Sequence, residues 1–211
     1  MANYHPNDEF LMQFSAGQLP NALGILIACH LEKCQSCRNK IRVFEQIGGE
    51  LLQDAVTEKV AEGTLEKLMA RLDTAEPITK PVVADARIPK PLQRFLPAYY
   101  DQLPWSGMTR SIKEFELPIS DQQLTAKFYK IAAGKELPEH THRGNEFTLV
   151  MAGSFADNAG EYRQGDFILA DTHTIHQPKA SNDCDCICFA VMDAPLKMTG
   201  FFGRLLNPFL R

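Results

Sequence analysis

Side chains that bind transition metals are concentrated in two parts of this chain, and the fold has to bring each group together. Five of the six histidines belong to these groups. The N-terminal group consists of His5, His30, Cys34 and Cys37. The C-terminal group consists of His140, His142, Glu146 and His176. The first group contains sulfur, as closed structural zinc sites do, whereas the second contains only nitrogen and oxygen ligands and is typical of sites that keep an open coordination position. Two metal chemistries in one chain predict two domains.

The spacing of the N-terminal group fits helices. His30, Cys34 and Cys37 stand at i, i+4 and i+7, so a continuous helix would place them on one stripe. A helix that begins within Cys34-x2-Cys37 would also bring them together, with amide N–H groups favouring thiolate. His5 is the only other histidine in this half, which makes it the predicted fourth ligand of a tetrahedral zinc ion. Cys-x2-Cys is also a redox motif, but the βαβ setting of that chemistry is absent.

Residues 1–75 are predicted to form about four helices. Asn7 is placed to cap the first helix, and Pro20 is placed to open the second. Gly48-Gly49 is expected to interrupt the third helix, which would resume over residues 50–60. The last helix carries an apolar stripe, made of Leu65, Leu68, Met69 and Leu72. That stripe fits either the core of a helical bundle or a contact with a partner protein.

The pattern changes after residue 75. Residues 76–93 contain four prolines, which predict a stiff linker that lets two domains move. Over residues 94–196, short apolar runs alternate with turn residues, as in a β-sandwich or small β-barrel. These runs are Leu124–Ile131, Phe147–Val150, Phe167–Ala170 and Cys186–Val191. Residues 197–211 form an apolar arm that we expect to pack on the barrel or on a second copy of the chain. The predicted class is α+β with two domains.

Composition excludes several classes of function. The chain of 211 residues is 45% hydrophobic and 23% charged, as in ordinary globular proteins. Its net charge of −4 argues against direct binding of nucleic acid. No signal peptide and no apolar segment of about 20 residues is evident, so we expect a cytoplasmic protein without a membrane span. Disulfides are rare in that compartment.

Three further cysteines alternate along one predicted strand. Cys184, Cys186 and Cys188 would share one face of it, because strand side chains alternate with period two. They are interpreted as small buried residues, with a disulfide formed on oxidation as the alternative. His173 is the histidine left over and is expected to be a solvated loop residue.

The first ligand group carries a family resemblance. His30-x3-Cys34-x2-Cys37, with a histidine twenty-five residues upstream, resembles the zinc-containing anti-sigma factors of bacteria. The resemblance implies that residues 1–75 form a helical bundle built on zinc. In that family the bundle binds an extracytoplasmic-function sigma factor and blocks its access to RNA polymerase.

The second ligand group resembles a β-barrel family. Gly134-x5-His140-x-His142-x3-Glu146-x6-Gly153 is similar to the first cupin motif, and Gly165-x10-His176 is similar to the second. His140 and His142 share a strand face by parity, whereas His176 would come from a distant strand. The implied site holds zinc or another divalent transition metal, since three histidines and a glutamate suit several of them.

The order of helical zinc domain, linker and cupin domain resembles the ChrR-type anti-sigma factors over nearly the whole chain. That resemblance implies an anti-sigma factor that is not an enzyme. It would release its sigma factor on an oxidative signal such as singlet oxygen or peroxide. The alternative is a metal-dependent cupin oxygenase or isomerase with a helical dimerisation domain.

Overall fold

The computed structural model describes residues 2–74, 87–96, 99–107, 109–119 and 124–199. Four helices occupy the first range: α1 (Asp8–Ser15), α2 (Asn21–Lys33), α3 (Gln35–Gln53) and α4 (Thr64–Asp73). Asn7 caps α1, because its side chain accepts a hydrogen bond from the amide of Phe10. Pro20 immediately precedes α2. The prediction of an N-terminal part with about four helices is confirmed.

The predicted break in the third helix is wrong, because α3 runs through Gly48 and Gly49 to Gln53. Each glycine in a helix interior costs only about 1 kcal/mol relative to alanine, which a helix of 19 residues tolerates. The helix then ends where we expected it to continue, and residues 55–60 are not helical. Three β-branched residues fall in that stretch, Val56, Thr57 and Val60, and such residues lose side-chain freedom in a helix.

The C-terminal part is built from short strands, as predicted, and the strands pair antiparallel. They are β1 (Ser106–Gly107), β2 (Ile112–Glu116), β3 (Thr125–Ile131), β4 (His140–His142), β5 (Glu146–Ala152), β6 (Ser154–Ala156), β7 (Glu161–Arg163), β8 (Phe167–Ala170), β9 (Lys179–Ala180), β10 (Cys186–Met192) and β11 (Leu196–Met198). One sheet has the order β1-β2-β3-β10-β5-β8, and smaller sheets β7-β6-β9 and β11-β4 accompany it. Isolated bridges join β4 to His176 and β9 to Glu136.

Strand β10 lies at the centre of the large sheet, and all seven of its residues are buried. Cys186 and Cys188 face the barrel interior, where they pack in one cluster with Val150. The alternate residues of β10, Ile187, Phe189 and Val191, face the other way, because strand side chains alternate. Phe189 and Val191 therefore pack in a cluster that also contains α2. The helices thus cover the outer face of the sheet.

The helical part and the barrel share this outer cluster. Leu23, Leu26 and Ile27 of α2 are buried in it together with residues of β5 and β10. The ring of Phe10 also meets the ring of Phe147 edge-on, at 5.3 Å between centroids. The two parts of the chain are therefore docked through a continuous apolar contact in the described residues.

The predicted linker is described only at residues 87–93, and there it is packed rather than extended. Ile88 and Leu92 are buried in the cluster with α2, and a 3-10 turn spans Lys90–Leu92. Of the predicted arm, residues 197–199 are described, and Lys197 pairs with Thr141 as part of β11. The remainder of the linker and arm predictions falls outside the described residues. Within the described ranges, no helix combines the length and apolar character needed to cross a membrane.

Candidate metal centres and helical surface

The N-terminal ligand group converges where α2 ends and α3 begins. His30 lies in the last turn of α2, Cys34 lies between the two helices, and Cys37 lies in the first turn of α3. The amide of Cys37 donates to the Cys34 sulfur at 3.4 Å, so Cys34 caps α3. Of the two predicted arrangements, the continuous helix is wrong, and the helix start within Cys34-x2-Cys37 is the one observed.

The four ligand atoms lie at distances that suit a tetrahedral ion. His5 Nδ1 is 3.3 Å from the Cys34 sulfur and 3.6 Å from the Cys37 sulfur. His30 Nε2 is 3.3 Å from the Cys37 sulfur. All four atoms lie within 4.8 Å of one another. A zinc ion with nitrogen and sulfur ligands separates them by roughly 3.5 Å, so this group fits zinc.

Burial of this group is energetically unfavourable for charged ligands unless a cation is bound. His30, Cys34 and Cys37 are buried, whereas His5 is exposed. Burial, assisted by a hydrogen bond to Cys34, raises the pKa of Cys37 to about 12. Burial also lowers the pKa of His30. A divalent cation reverses the first shift by stabilising the thiolate, and it binds the neutral imidazole that the second shift favours.

The second ligand group brings three histidines together inside the barrel. His176 Nε2 lies 3.0 Å from His140 Nε2 and 3.2 Å from His142 Nε2, and all three rings are buried. His140 Nδ1 donates to the Pro138 carbonyl at 2.9 Å, and His176 Nδ1 donates to the Asp157 carboxylate at 3.0 Å. Because these Nδ1 atoms carry the protons, lone pairs of neutral His140 and His176 rings face each other across the site. A bound cation resolves that repulsion.

Glu146, the predicted fourth ligand, lies beside this group but outside the closest set of ligand atoms. Its Oε2 is 3.8 Å from His142 Nδ1, and its Oε1 accepts a hydrogen bond from Thr148. Among the described residues, the buried Oε2 has no hydrogen-bond partner. Burial raises the pKa of this carboxyl group to about 7. An unpartnered acceptor next to three imidazoles also fits a metal ion.

A small cavity adjoins the barrel group. Its volume is about 40 Å³, and most of its lining is apolar. His140, His176 and Glu146 line it together with Tyr129 and Cys188. This space accommodates an ion and one or two water molecules, whereas pockets for organic ligands are typically about 300–1,000 Å³.

The remaining sequence predictions for this region have mixed outcomes. Cys186 and Cys188 share a strand face, with their sulfur atoms 3.7 Å apart, as expected. The prediction is wrong for Cys184, which precedes β10 and is exposed. His173 is an exposed residue of a turn in which its amide donates to Asp171.

An exposed surface extends from the helical part. Every residue from Glu45 to Leu72 is exposed, so the end of α3 and all described side chains of α4 project from the body. We call the exposed large apolar side chains of α3 and α4 the helical surface; they are Val43, Ile47, Leu51, Leu52, Leu65, Leu68, Met69 and Leu72. The predicted stripe on α4 therefore does not pack in a bundle core.

Comparison with known proteins identifies the family. A family model described as the ChrR cupin-like domain matches residues 98–194. The anti-sigma-E factor ChrR of Cereibacter sphaeroides is 33% identical over 211 residues, which are 99% of this chain and 98% of that protein. The chain belongs to the ChrR family of anti-sigma factors.

A solved structure shows that the similarity to ChrR also holds for the three-dimensional fold. The crystal structure of Rhodobacter sphaeroides SigE in complex with the anti-sigma ChrR contains a matching chain at 30% identity, with a TM-score of 0.81. The match covers 92% of this chain and 100% of that chain. The predicted fold, a helical N-terminal part followed by a cupin-like barrel, is confirmed.

Several groups around the two ligand sets of this ChrR-family member were missed by sequence reasoning. Asp157 and the Pro138 carbonyl hold two of the barrel histidines, and the Gly165 carbonyl accepts a hydrogen bond from His30 Nδ1 at 2.8 Å. A search for an acidic residue in the turn before the second cupin motif could have suggested Asp157. The two carbonyl contacts could not be predicted from side-chain patterns, because every residue has a backbone carbonyl.

Proposed function

We propose that this protein is an anti-sigma factor that binds an extracytoplasmic-function sigma factor and keeps it from RNA polymerase. The observation that carries the proposal is the helical surface, where eight large apolar side chains of α3 and α4 are exposed. Val43, Ile47 and Leu51 are spaced four residues apart and share one face of α3, as the stripe does on α4, and exposed apolar faces of this kind mark protein–protein contact sites. The named relative, an anti-sigma-E factor, and the solved complex of SigE with ChrR support the same partner class.

The isolated state of α4 strengthens this argument. The helix has ten residues, and none of its described side chains is buried. Helices shorter than about 12–15 residues are marginal in water unless an apolar face packs on something. A partner that covers Leu65, Leu68 and Leu72 would supply that packing, as in other complexes where an amphipathic helix docks in a groove.

The proposed role of the N-terminal site is to hold the inhibitory arrangement of the helices. His5, His30, Cys34 and Cys37 would bind zinc as a closed structural site, which ties the N-terminal segment to the junction of α2 and α3. Because zinc binding to such sites is coupled to folding, loss of one ligand would disorder the junction of α2 and α3.

The proposed role of the barrel is to receive a signal. His140, His142 and His176, with Glu146 beside them, would bind zinc or another divalent transition metal, which supplies a Lewis-acid centre when bound. We propose that exposure to an oxidant such as singlet oxygen or a peroxide releases the sigma factor. Since the partner acts on RNA polymerase, the proposed site of action is the cytoplasm, and the net charge of −4 agrees with the absence of direct nucleic-acid binding.

The enzyme alternative rests on the three-histidine group, which is also compatible with a cupin oxygenase or isomerase. The cavity of about 40 Å³ favours the regulatory proposal, because it leaves little room for an organic substrate. Oxygen uptake by the iron(II)-loaded protein with a panel of small diketones and thiols tests this alternative. Turnover of any substrate in the panel would favour the enzyme.

The central test replaces Cys37 with serine in a purified pair with a candidate sigma factor. We expect Cys37→Ser to lose the N-terminal zinc and to bind the sigma factor at least about tenfold more weakly, because the thiolate ligand is gone. Cys184→Ser is the matched control, since Cys184 is exposed and outside both ligand groups. Unchanged zinc content and affinity in Cys37→Ser would contradict the proposal.

A further inference from the structure

The turn between β7 and β8 contacts the N-terminal metal centre, although no ligand of that centre belongs to the barrel. The turn comprises residues 163–166, and the Asp166 amide closes it by donating to the Arg163 carbonyl at 2.9 Å. Gly165 occupies its third position with φ +96°, a conformation that favours glycine in a type II turn. The Asp166 side chain reinforces the turn by accepting from the Arg163 amide at 2.7 Å.

One ligand is oriented by the backbone of this turn. The Gly165 carbonyl lies 2.8 Å from His30 Nδ1, and both groups are buried against each other. A carbonyl only accepts, so Nδ1 carries the proton and Nε2 keeps its lone pair. Nε2 is the atom that faces the Cys37 sulfur, at 3.3 Å. The barrel therefore selects the tautomer and the ring orientation that metal binding by His30 requires.

A second ligand is held by the next two residues. The Asp166 carboxylate, 1% exposed, accepts from the amides of Asn3 at 2.5 Å and Tyr4 at 3.2 Å. The Phe167 amide donates to the Tyr4 carbonyl at 3.1 Å. These three bonds fix the backbone immediately before His5. The exposed ligand of the centre is thus held by the barrel through the residues that precede it in the chain.

We propose that the β7–β8 turn is the outer coordination shell of the N-terminal metal centre, so that the barrel sets the metal affinity and geometry of a site whose ligands all lie in the helical part. The proposal rests on the proposed zinc site. It adds a physical route for regulation, because a displacement of β8 would alter the positions of His5 and His30 together. Gly165 and Asp166 are positioning residues in this scheme.

A purely structural role for the turn makes a different prediction. Hydrogen bonds that merely hold two domains together contribute to the free energy of unfolding and leave metal coordination as it was. Outer-shell partners of metal ligands instead change metal affinity, typically by about 10–100-fold when removed. The two roles are therefore separated by measuring the metal centre itself.

The first experiment uses the full chain with Asp166→Ala. Zinc affinity is measured by competition with a chromophoric chelator, and coordination geometry is followed by absorption of the cobalt(II)-substituted N-terminal site. We expect about tenfold weaker zinc binding and a shift of the cobalt d–d bands. Asp166→Asn keeps one side-chain oxygen acceptor and should restore part of the affinity. Asp185→Asn is the control, because Asp185 caps a barrel loop at the Ala133 amide, away from both ligand groups.

A second variant tests the Gly165 carbonyl instead of the Asp166 carboxylate. Gly165→Ala places a side chain at φ +96° and should displace the Gly165 carbonyl from His30. Gly134→Ala is its matched control, since Gly134 also has positive φ, at +68°, but lies in a barrel turn against Asn182. We expect only Gly165→Ala to weaken zinc binding.

The wild-type protein provides a test that needs no variant. Besides the Nδ1–H protons expected on His140 and His176, NMR of the zinc-bound protein with 15N-labelled histidine should show a protected Nδ1–H proton on His30. Absence of that proton would overturn the proposal, as would unaltered zinc affinity and cobalt spectra in both Asp166→Ala and Gly165→Ala. Failure of the proposed function is a separate result: the wild-type protein would bind zinc normally and show no affinity for a sigma factor.

Discussion

Replacing Leu65 with alanine is expected to weaken binding of the sigma factor without affecting the fold. Leu65 is 66% exposed in the free protein, so a partner that covers it removes about two thirds of its surface from water. Full burial of a leucine side chain is worth about 1.5–3 kcal/mol, which gives about 1–2 kcal/mol for this fraction. Since about 1.4 kcal/mol corresponds to a tenfold change, the expected loss of affinity is about 5- to 30-fold.

The assay is a titration of labelled sigma factor by fluorescence anisotropy at fixed ionic strength. Alanine is the strongest helix former, so the substitution should preserve α4. Leu169→Ala is the control, because Leu169 is also an exposed leucine, at 45%, but lies on β8 of the barrel. Equal affinities for Leu65→Ala, Leu169→Ala and the wild type would refute the assignment of the helical surface as the partner contact.

Two further predictions concern the barrel and the shared core. Asp157→Asn should lower the metal affinity of the three-histidine site by about 10- to 100-fold, because Asp157 holds His176 Nδ1, and metal analysis should show the N-terminal zinc unchanged. Loss of both metals together would contradict independent sites. Leu26→Ala should lower the free energy of unfolding by about 2–5 kcal/mol, because Leu26 is fully buried between α2 and the sheet. Chemical denaturation should show helices and strands unfolding in one transition, and two separate transitions would disprove a common core.

Local chemistry made part of this molecule predictable. Asn7 and Cys34 are caps whose side chains act within a few residues, and His140 and His142 share a face by strand parity alone. The stripe at Leu65 was also visible, but periodicity says only that one face is apolar. Whether a core or a partner covers that face depends on the rest of the fold.

The features that escaped prediction depend on distant or backbone contacts. Gly48 and Gly49 remain helical because each costs only about 1 kcal/mol relative to alanine, which is small beside the summed helix-forming tendency of the other residues of α3. The hydrogen bond between His30 and Gly165 joins residues 135 positions apart through a carbonyl that every residue possesses. The packing of Ile88 and Leu92 required knowledge of where α2 lies, since the four prolines of residues 76–93 indicate only a stiff segment.

Strand β10 has no face in contact with solvent, and its two faces belong to different parts of the protein. A bulkier side chain at Cys186 or Cys188 would have to displace atoms on the metal-cavity side or push the strand outward. Outward movement would shift Phe189 and Val191 against α2, the helix that carries His30. Volume changes beside the barrel cavity therefore become positional changes in the helical part, because close-packed interiors have little free space to absorb them.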